Sequence, residues 1–275
     1  MKPAPFTYHR ASSIEDAVAQ LSSEETLARP LAGGQSLLPM LNLRVAPVDR
    51  LIDLGRLAEL KETQAETACV RYGALLTHAA FEDRCVPDGS NGLMPFVASQ
   101  IAFRAVRTRG TIGGAIALAD PAADWVTTVV AMEASIEIAG PSGKRSVPAA
   151  EFVLGPYMVA LEPGEIITAV VVPRRSSSER WGHYKVARKI GEYAESMAIA
   201  LVDRDARNAR LVAGATDGAP LVLKNAARAV LNGKTGAALA SVIREELSAS
   251  GRDFPATKLH LHCTVCQRAV EAIHS

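Results

Sequence analysis

The chain has 275 residues, 48% of them apolar, with 30 Lys and Arg against 29 Asp and Glu. That length leaves room for two compact bodies, and balanced charge without a basic run argues against a nucleic-acid or polyanion partner. No apolar stretch follows Lys2, the most apolar run (Val126 to Ala139) is broken by Glu133 and Glu137, and the four cysteines set no disulfide framework, so the sequence predicts a soluble cytoplasmic protein.

In chain order, Phe6 to Tyr8 reads as a strand and about Ile14 to Leu21 as a helix, with Ser13 and Asp16 at capping-box-like spacing. A short apolar run ends at Ala32, a glycine loop follows, and Leu51 to Leu54 reads as the next strand. These pieces make a β-α-β block over roughly the first 55 residues. A second block, to about Pro173, alternates strands such as Val70 to Ala74 with helices such as Asp124 to Met132. Within it, Ser135 to Ala139 closes in a Gly140-Pro141-Ser142-Gly143 turn, and Ile166 to Val172 is a β-branched run. The polar stretch Arg174 to Arg180 reads as a linker. The third block opens with a strand at His183 to Val186, then a hairpin from Met197–Val202 through Asp203–Asn208 into Ala209–Ala213. Helices follow at about Val222–Leu231, Ala237–Leu247 and Thr257–Ile273, which predicts a small α+β cap on an α/β body.

Two glycine-rich loops carry the chemistry. Leu31-Ala32-Gly33-Gly34-Gln35-Ser36-Leu37-Leu38-Pro39 lies between a predicted strand and a short helix. Adjacent glycines let the backbone approach a ligand closely and adopt positive φ, and successive amides can then converge on an anion near a helix start. Gln35 and Ser36 add polar side chains. Taken alone, the pair reads as an ordinary strand-to-helix turn. A second loop of the same kind, Arg109-Gly110-Thr111-Ile112-Gly113-Gly114, is followed by Ala117, Asp120-Pro121 and Asp124. Two amide-lined loops can enclose a dinucleotide diphosphate. Arg104, Arg107 and Arg109 add positive potential upstream, or form a solvated basic face.

Three other signals are weaker. Asn232-Gly233-Lys234-Thr235 lacks the first glycine of a phosphate-binding loop, since Arg228 stands there, and it reads as a helix-ending turn. No Gly-x-Gly-x-x-Gly follows a strand, which argues against a Rossmann site. His260-Leu261-His262-Cys263-Thr264-Val265-Cys266 offers a Cys-x-x-Cys, yet Leu259, Cys263, Cys266 and Val270 share helical periodicity, and packed thiols are the expectation over a metal. Cys69 and Cys85 are too isolated to complete an iron–sulfur set.

The chain resembles the FAD-binding medium subunits of molybdenum hydroxylases, the carbon monoxide dehydrogenase and xanthine dehydrogenase group. The matching residues are Ala32 to Pro39 with Asn42-Leu43-Arg44, then Ser99-Gln100-Ile101-Ala102, Val106 to Gly114, and Ala119 to Asp124. Fainter echoes are Leu161 with Gly164 to Ile167, and Lys185 to Arg188 leading into Glu192-Tyr193-Ala194. Ala115 departs from the Asn that relatives often place after the second Gly-Gly, and Leu261-His262 stands near an expected Tyr-Arg pair.

The resemblance implies an α+β chain: a two-subdomain FAD-binding body of the PCMH type over residues 1–175, divided near residue 55, and a C-terminal domain of antiparallel sheet plus helices over 179–275. It implies FAD contacts at Ala32, Gly33, Gly34, Gln35, Ser36 and Leu37, at Ile101, and at Thr111, Ile112, Gly113, Gly114, Ala117, Asp120 and Asp124. The isoalloxazine ring is expected near Leu161, Lys185 and Tyr193, whose plainer readings are a solvated Lys and a Tyr filling an interdomain seam. Partners follow from the same resemblance: a large molybdopterin-binding subunit and a small iron–sulfur subunit with two [2Fe-2S] clusters, paired into a dimer of heterotrimers. Electrons from the clusters would pass to FAD and on to an external acceptor, with no catalytic residue or metal on this chain. Two other functions fit the loops less fully: a self-contained FAD-dependent oxidoreductase with its own organic substrate, and a non-catalytic nucleotide-binding scaffold.

Overall fold

The first sheet is parallel. In a computed structural model describing residues 2–23 and 25–274, β1 (Thr7–Arg10), α1 (Ile14–Leu21), β2 (Ala28–Leu31), α2 (Leu37–Asn42) and β3 (Arg50–Asp53) build a sheet of order β1-β3-β2. The Ser13 hydroxyl caps α1 by accepting from the Asp16 amide at 3.1 Å, as its spacing predicts. The Asp16 carboxylate reaches back to the Ser12 amide, 2.8 Å away, so the reciprocal half of the box falls on Ser12.

The second sheet is antiparallel throughout. Strands β4 (Thr63–Ala65) and β5 (Cys69–Gly73) lead into helices α3 (His78–Glu82), α4 (Leu93–Gln100), α5 (Arg104–Arg107), α6 (Ile112–Leu118) and α7 (Asp124–Ala131). After them come β6 (Ser135–Gly140), β7 (Gly143–Pro148), α8 (Ala149–Phe152), the short pair β8 (Val153–Gly155) and β9 (Met158–Val159), and β10 (Ile166–Pro173). The order is β4-β5-β10-β6-β7. The sheet does not follow the expected α/β alternation. Helices α3 to α7 all fall between β5 and β6, which are not neighbours, and β10 runs antiparallel to both.

The stretch read as a linker is tied down. Arg175 donates to the Met132 carbonyl and lies 3.6 Å from Glu179, while the Ser176 and Ser178 hydroxyls bond the Asp203 carboxylate. A third sheet of order β11-β12-β13-β14 follows, from β11 (Arg180–Val186), β12 (Ser196–Asp203), β13 (Asn208–Gly214) and β14 (Leu221–Val222). Its period-two alternation separates two cores. Ile199, Leu201 and Val212 face Val126, Val129 and Val130 of α7. Ala198, Ala200 and Val202 face the helices α9 (Lys224–Leu231), α10 (Gly236–Ser248) and α11 (Ala256–Glu271). All eight residues of β12 and of α7 are buried for this reason.

In the tail, Cys263 and Cys266 pack in the second core beside Leu259 and Val270. His262 bonds the Ser196 hydroxyl through Nδ1 at 2.7 Å. Gly233, at φ +76°, ends α9, with the Gly233 and Lys234 amides donating to Val230 and Ala229. Among the described residues no helix is long and apolar enough to cross a membrane.

Candidate cofactor site

A cavity of about 590 Å³ lies where the loop after β2 meets the loop before α6. The first loop is built by a chain reversal between β2 and α2, and only Gly34 of its pair needs positive φ, +73°. Gly33 is required for a different reason: a Cβ there would run into the Arg109 carbonyl, so the two loops touch backbone to backbone. Among the described residues the amides of Gly33, Gly34, Gln35, Ser36 and Leu37 donate to no protein acceptor. Such a row of donors beside a cavity suits an anion. Since α2 has six residues, the loop amides rather than a helix dipole supply that field.

The second loop is arranged differently from its sequence expectation. The segment after β5 runs alongside it: the His78 amide donates to Gly110, Ile112 to Leu76 and Gly113 to Ala74, at 2.9 to 3.0 Å. The Gly114 amide donates to the Thr111 hydroxyl, which caps α6 at 3.1 Å. These amides are already engaged, so the loop does not offer the open row inferred from its glycines. Its glycines serve close packing instead, since a Cβ on Gly113 would meet Ala74 at 2.6 Å and one on Gly110 would meet His78 Nε2 at the same distance. Thr111 keeps a free amide among the described residues.

The predicted residues divide plainly. Ala32 through Leu37 all line the cavity, as do Thr111, Gly113, Gly114 and Ala117. Ile101, Asp124, Leu161 and Tyr193 complete its wall and mouth. Ile112, Asp120 and Lys185 are outside the lining. Ile112 is fully buried in the core and its amide is taken by Leu76. The Asp120 carboxylate accepts from the Tyr157 hydroxyl and the Ala122 amide, both at 2.9 Å. Lys185 Nζ sits 2.9 and 3.0 Å from the two oxygens of Asp124, so its charge faces a carboxylate and it is neither solvated nor aimed into the cavity. Burial pushes the Asp124 carboxyl up and Lys185 pulls it back down.

Arg104 and Arg107 act as clamps, whereas Arg109 is exposed and its side chain makes no ion pair among the described residues. Arg107 pairs with Glu82 and donates to the Ile101 and Ala102 carbonyls at 2.9 Å, fixing a turn in which Ala102 has φ +42°. Arg104 holds Glu82 and Asp83. Tyr193 is 56% exposed at the mouth, too open for a seam filler, and the Ser36 hydroxyl approaches its phenol. Residues the sequence did not single out also line the site, among them His78, Trp125 and Tyr157. No local pattern marks them, because each is brought in by tertiary packing.

The cavity volume, its paired backbone loops and the free amides fit a dinucleotide with an anionic centre. The family described as "FAD binding domain in molybdopterin dehydrogenase" matches residues 4–175. The carbon monoxide dehydrogenase medium chain of Hydrogenophaga pseudoflava is 39% identical over 194 residues, 70% of this chain and 68% of that one. The glyceraldehyde dehydrogenase medium chain of Sulfolobus acidocaldarius is 34% identical over 251 residues, 90% of this chain and 89% of that one. A solved structure of the Hydrogenophaga pseudoflava carbon monoxide dehydrogenase superposes with TM-score 0.91 at 30% identity, covering 100% of this chain and 99% of its own. With likeness of that extent, the chain belongs to the FAD-binding medium subunits of the molybdenum hydroxylases and is a flavoprotein component of an oxidoreductase.

Proposed function

We propose that this chain holds FAD with its diphosphate on the free amides of Gly33 to Leu37, and that it serves as the electron-transferring flavin subunit of a larger cytoplasmic hydroxylase. The observation that carries the reading is the row of unengaged amides facing a cavity backed by the second glycine loop. Ala32 to Leu37, Thr111, Gly113, Gly114 and Ala117 would hold the cofactor, with Ile101, Asp124 and Leu161 along its wall. Residues 1–175 form the binding body, with subdomains meeting near residue 55, and 179–275 the C-terminal domain. FAD, when bound, supplies reversible acceptance of electrons, while the protein supplies position and electrostatics. Asp124 in the wall is paired with Lys185 outside the lining, so the net charge near the cofactor is set by the pair rather than by Lys185 alone. Tyr193 at the mouth covers the reactive end and limits access by the oxidising acceptor.

The donor of those electrons is a partner iron–sulfur subunit with [2Fe-2S] clusters, and the substrate is oxidised on a large molybdopterin-binding subunit. The assembly is a dimer of heterotrimers, the usual closed symmetry for paired complexes. Isolation of the tagged chain from its native host tests this: two further chains bringing molybdenum, iron and acid-labile sulfide are expected, with substrate-dependent bleaching of the flavin. Full turnover of an organic substrate by this chain alone would reject the subunit reading in favour of a self-contained oxidoreductase.

A further inference from the structure

Resting on the FAD reading above, we propose that His78 is an additional cofactor-binding residue: its ring is fixed as the neutral tautomer with the proton on Nε2, and that N–H donates to an oxygen of the dinucleotide diphosphate. The residue lies at the start of α3, buried to 4% exposure, and lines the same cavity as the two glycine loops. Its backbone is held under the second loop by the bond from the His78 amide to Gly110.

The tautomer follows from one neighbour. Trp125 Nε1 stands 2.9 Å from His78 Nδ1. An indole nitrogen only donates, so Nδ1 must accept and carries no proton. The single proton of the neutral ring then sits on Nε2. Protonating the ring would put an N–H on Nδ1 against the indole N–H, and burial opposes the charge as well, lowering the pKa to about 4. The ring is thus an uncharged donor of fixed direction across neutral pH.

His78 lines the ligand cavity beneath the second loop. Nε2 lies against Gly110, 2.6 Å from where a Cβ would stand, which explains why only glycine fits there. Among the described residues Nε2 has no hydrogen-bond partner, and the protein does not wholly enclose it. The second loop needs such a donor. Among the described residues, with the amides of Ile112, Gly113 and Gly114 engaged, the Thr111 amide and hydroxyl are the loop donors that remain on that side of the cavity. An imidazole N–H held beneath the loop supplies what the glycine amides do not. A donor–anion bond is stronger than a neutral one, and this one adds no net charge beside the cofactor.

The test uses the full chain stripped of flavin and titrated with FAD. In the wild type, binding should move the His78 Nε2–H resonance downfield and protect it from exchange, with the nitrogen shifts of a single Nε2–H tautomer. His78→Phe should weaken FAD binding by about tenfold or more and shift a phosphorus resonance of bound FAD. His78→Gln, which restores a donor at similar reach, should recover much of the affinity. If FAD binds but the His78 Nε2–H resonance is unmoved, the assignment of His78 is overturned while the FAD reading stands. That wild-type measurement decides the matter even if His78→Phe fails to fold. If the wild-type chain binds no FAD, both fall together.

Discussion

The backbone of Gly33 lies directly against the carbonyl of Arg109, so any Cβ at position 33 would collide with the second loop. Gly33→Val should therefore drive the loops apart and cut FAD retention by more than about tenfold while the three sheets stay folded, since the clash is local to the cavity mouth. Gly114→Val is expected to act less directly, through the Thr111 hydroxyl, 2.8 Å from the added carbon. Flavin content per chain, read beside far-ultraviolet circular dichroism, checks both. Full flavin content in Gly33→Val would move the diphosphate site elsewhere.

Arg107 joins the cavity wall to the helix layer through Glu82 and the carbonyls of Ile101 and Ala102. Arg107→Ala leaves those two carbonyls without their donor and Glu82 with Arg104 alone. A loss of about 2–3 kcal/mol in unfolding free energy is expected, with weaker FAD binding because the Ala102 turn is no longer held. Urea unfolding and FAD titration measure the two effects. Unchanged values in both would show that the clamp is idle.

Lys185→Met isolates a buried carboxylate. With its cation gone, Asp124 stays in a low-dielectric site already pushing its carboxyl up, and a destabilisation of about 3–5 kcal/mol is expected. Adding Asp124→Asn should restore most of it. Any fall in flavin reduction potential in Lys185→Met is to be compared with the double variant, which separates the ammonium charge from the stranded carboxylate. Equal stability of the single and double variants would sever the two residues energetically.

How much of this was legible beforehand depends on what each feature rests on. The Gly-Gly pair at Gly33-Gly34 between an apolar run and a short helix marks a loop open to close backbone approach, and Ala32 to Leu37 do line the cavity. The second loop looked equivalent, yet its amides are taken by Ala74 and Leu76. That pairing is set by where the chain leaves β5, which no local pattern encodes. Likewise nothing near His78 in sequence announces Trp125, and Lys185 gives no hint that its counter-ion is Asp124. Elements with strong periodicity, such as α1 and β12, fall within a residue of their predicted positions, whereas strand direction in the second sheet needed tertiary contacts to decide.

Stability should fall on acidification. His78 and His262 are buried neutral, each with its pKa lowered to about 4 by burial, while an unfolded imidazole titrates near 6.5. As pH drops below about 6.5 the unfolded state takes up protons first, so stability present at neutral pH is lost, and the loss levels off below about 4. At pH 5 the cost is about 2 kcal/mol for each histidine. His262→Asn should flatten part of the slope in urea unfolding between pH 7 and 5. A flat profile in the wild type would refute the buried neutral assignment.

Tyr193 at the mouth is expected to act on access rather than affinity. Tyr193→Ala should change the rate of flavin reoxidation severalfold and leave FAD binding within about threefold, since an exposed side chain contributes little burial. Stopped-flow reoxidation of the reduced assembly reads the first and FAD titration the second. Unaltered reoxidation would remove Tyr193 from the site.

Whether the free amides of Gly33 to Leu37 read a diphosphate is tested most directly by comparing FAD with FMN and riboflavin on the flavin-stripped full chain. Two or more charge-assisted bonds to the diphosphate should make FAD bind at least about a hundredfold tighter than either mononucleotide-sized flavin, at one FAD per chain. Equal affinity for FMN and FAD, or no FAD binding at all, would contradict it.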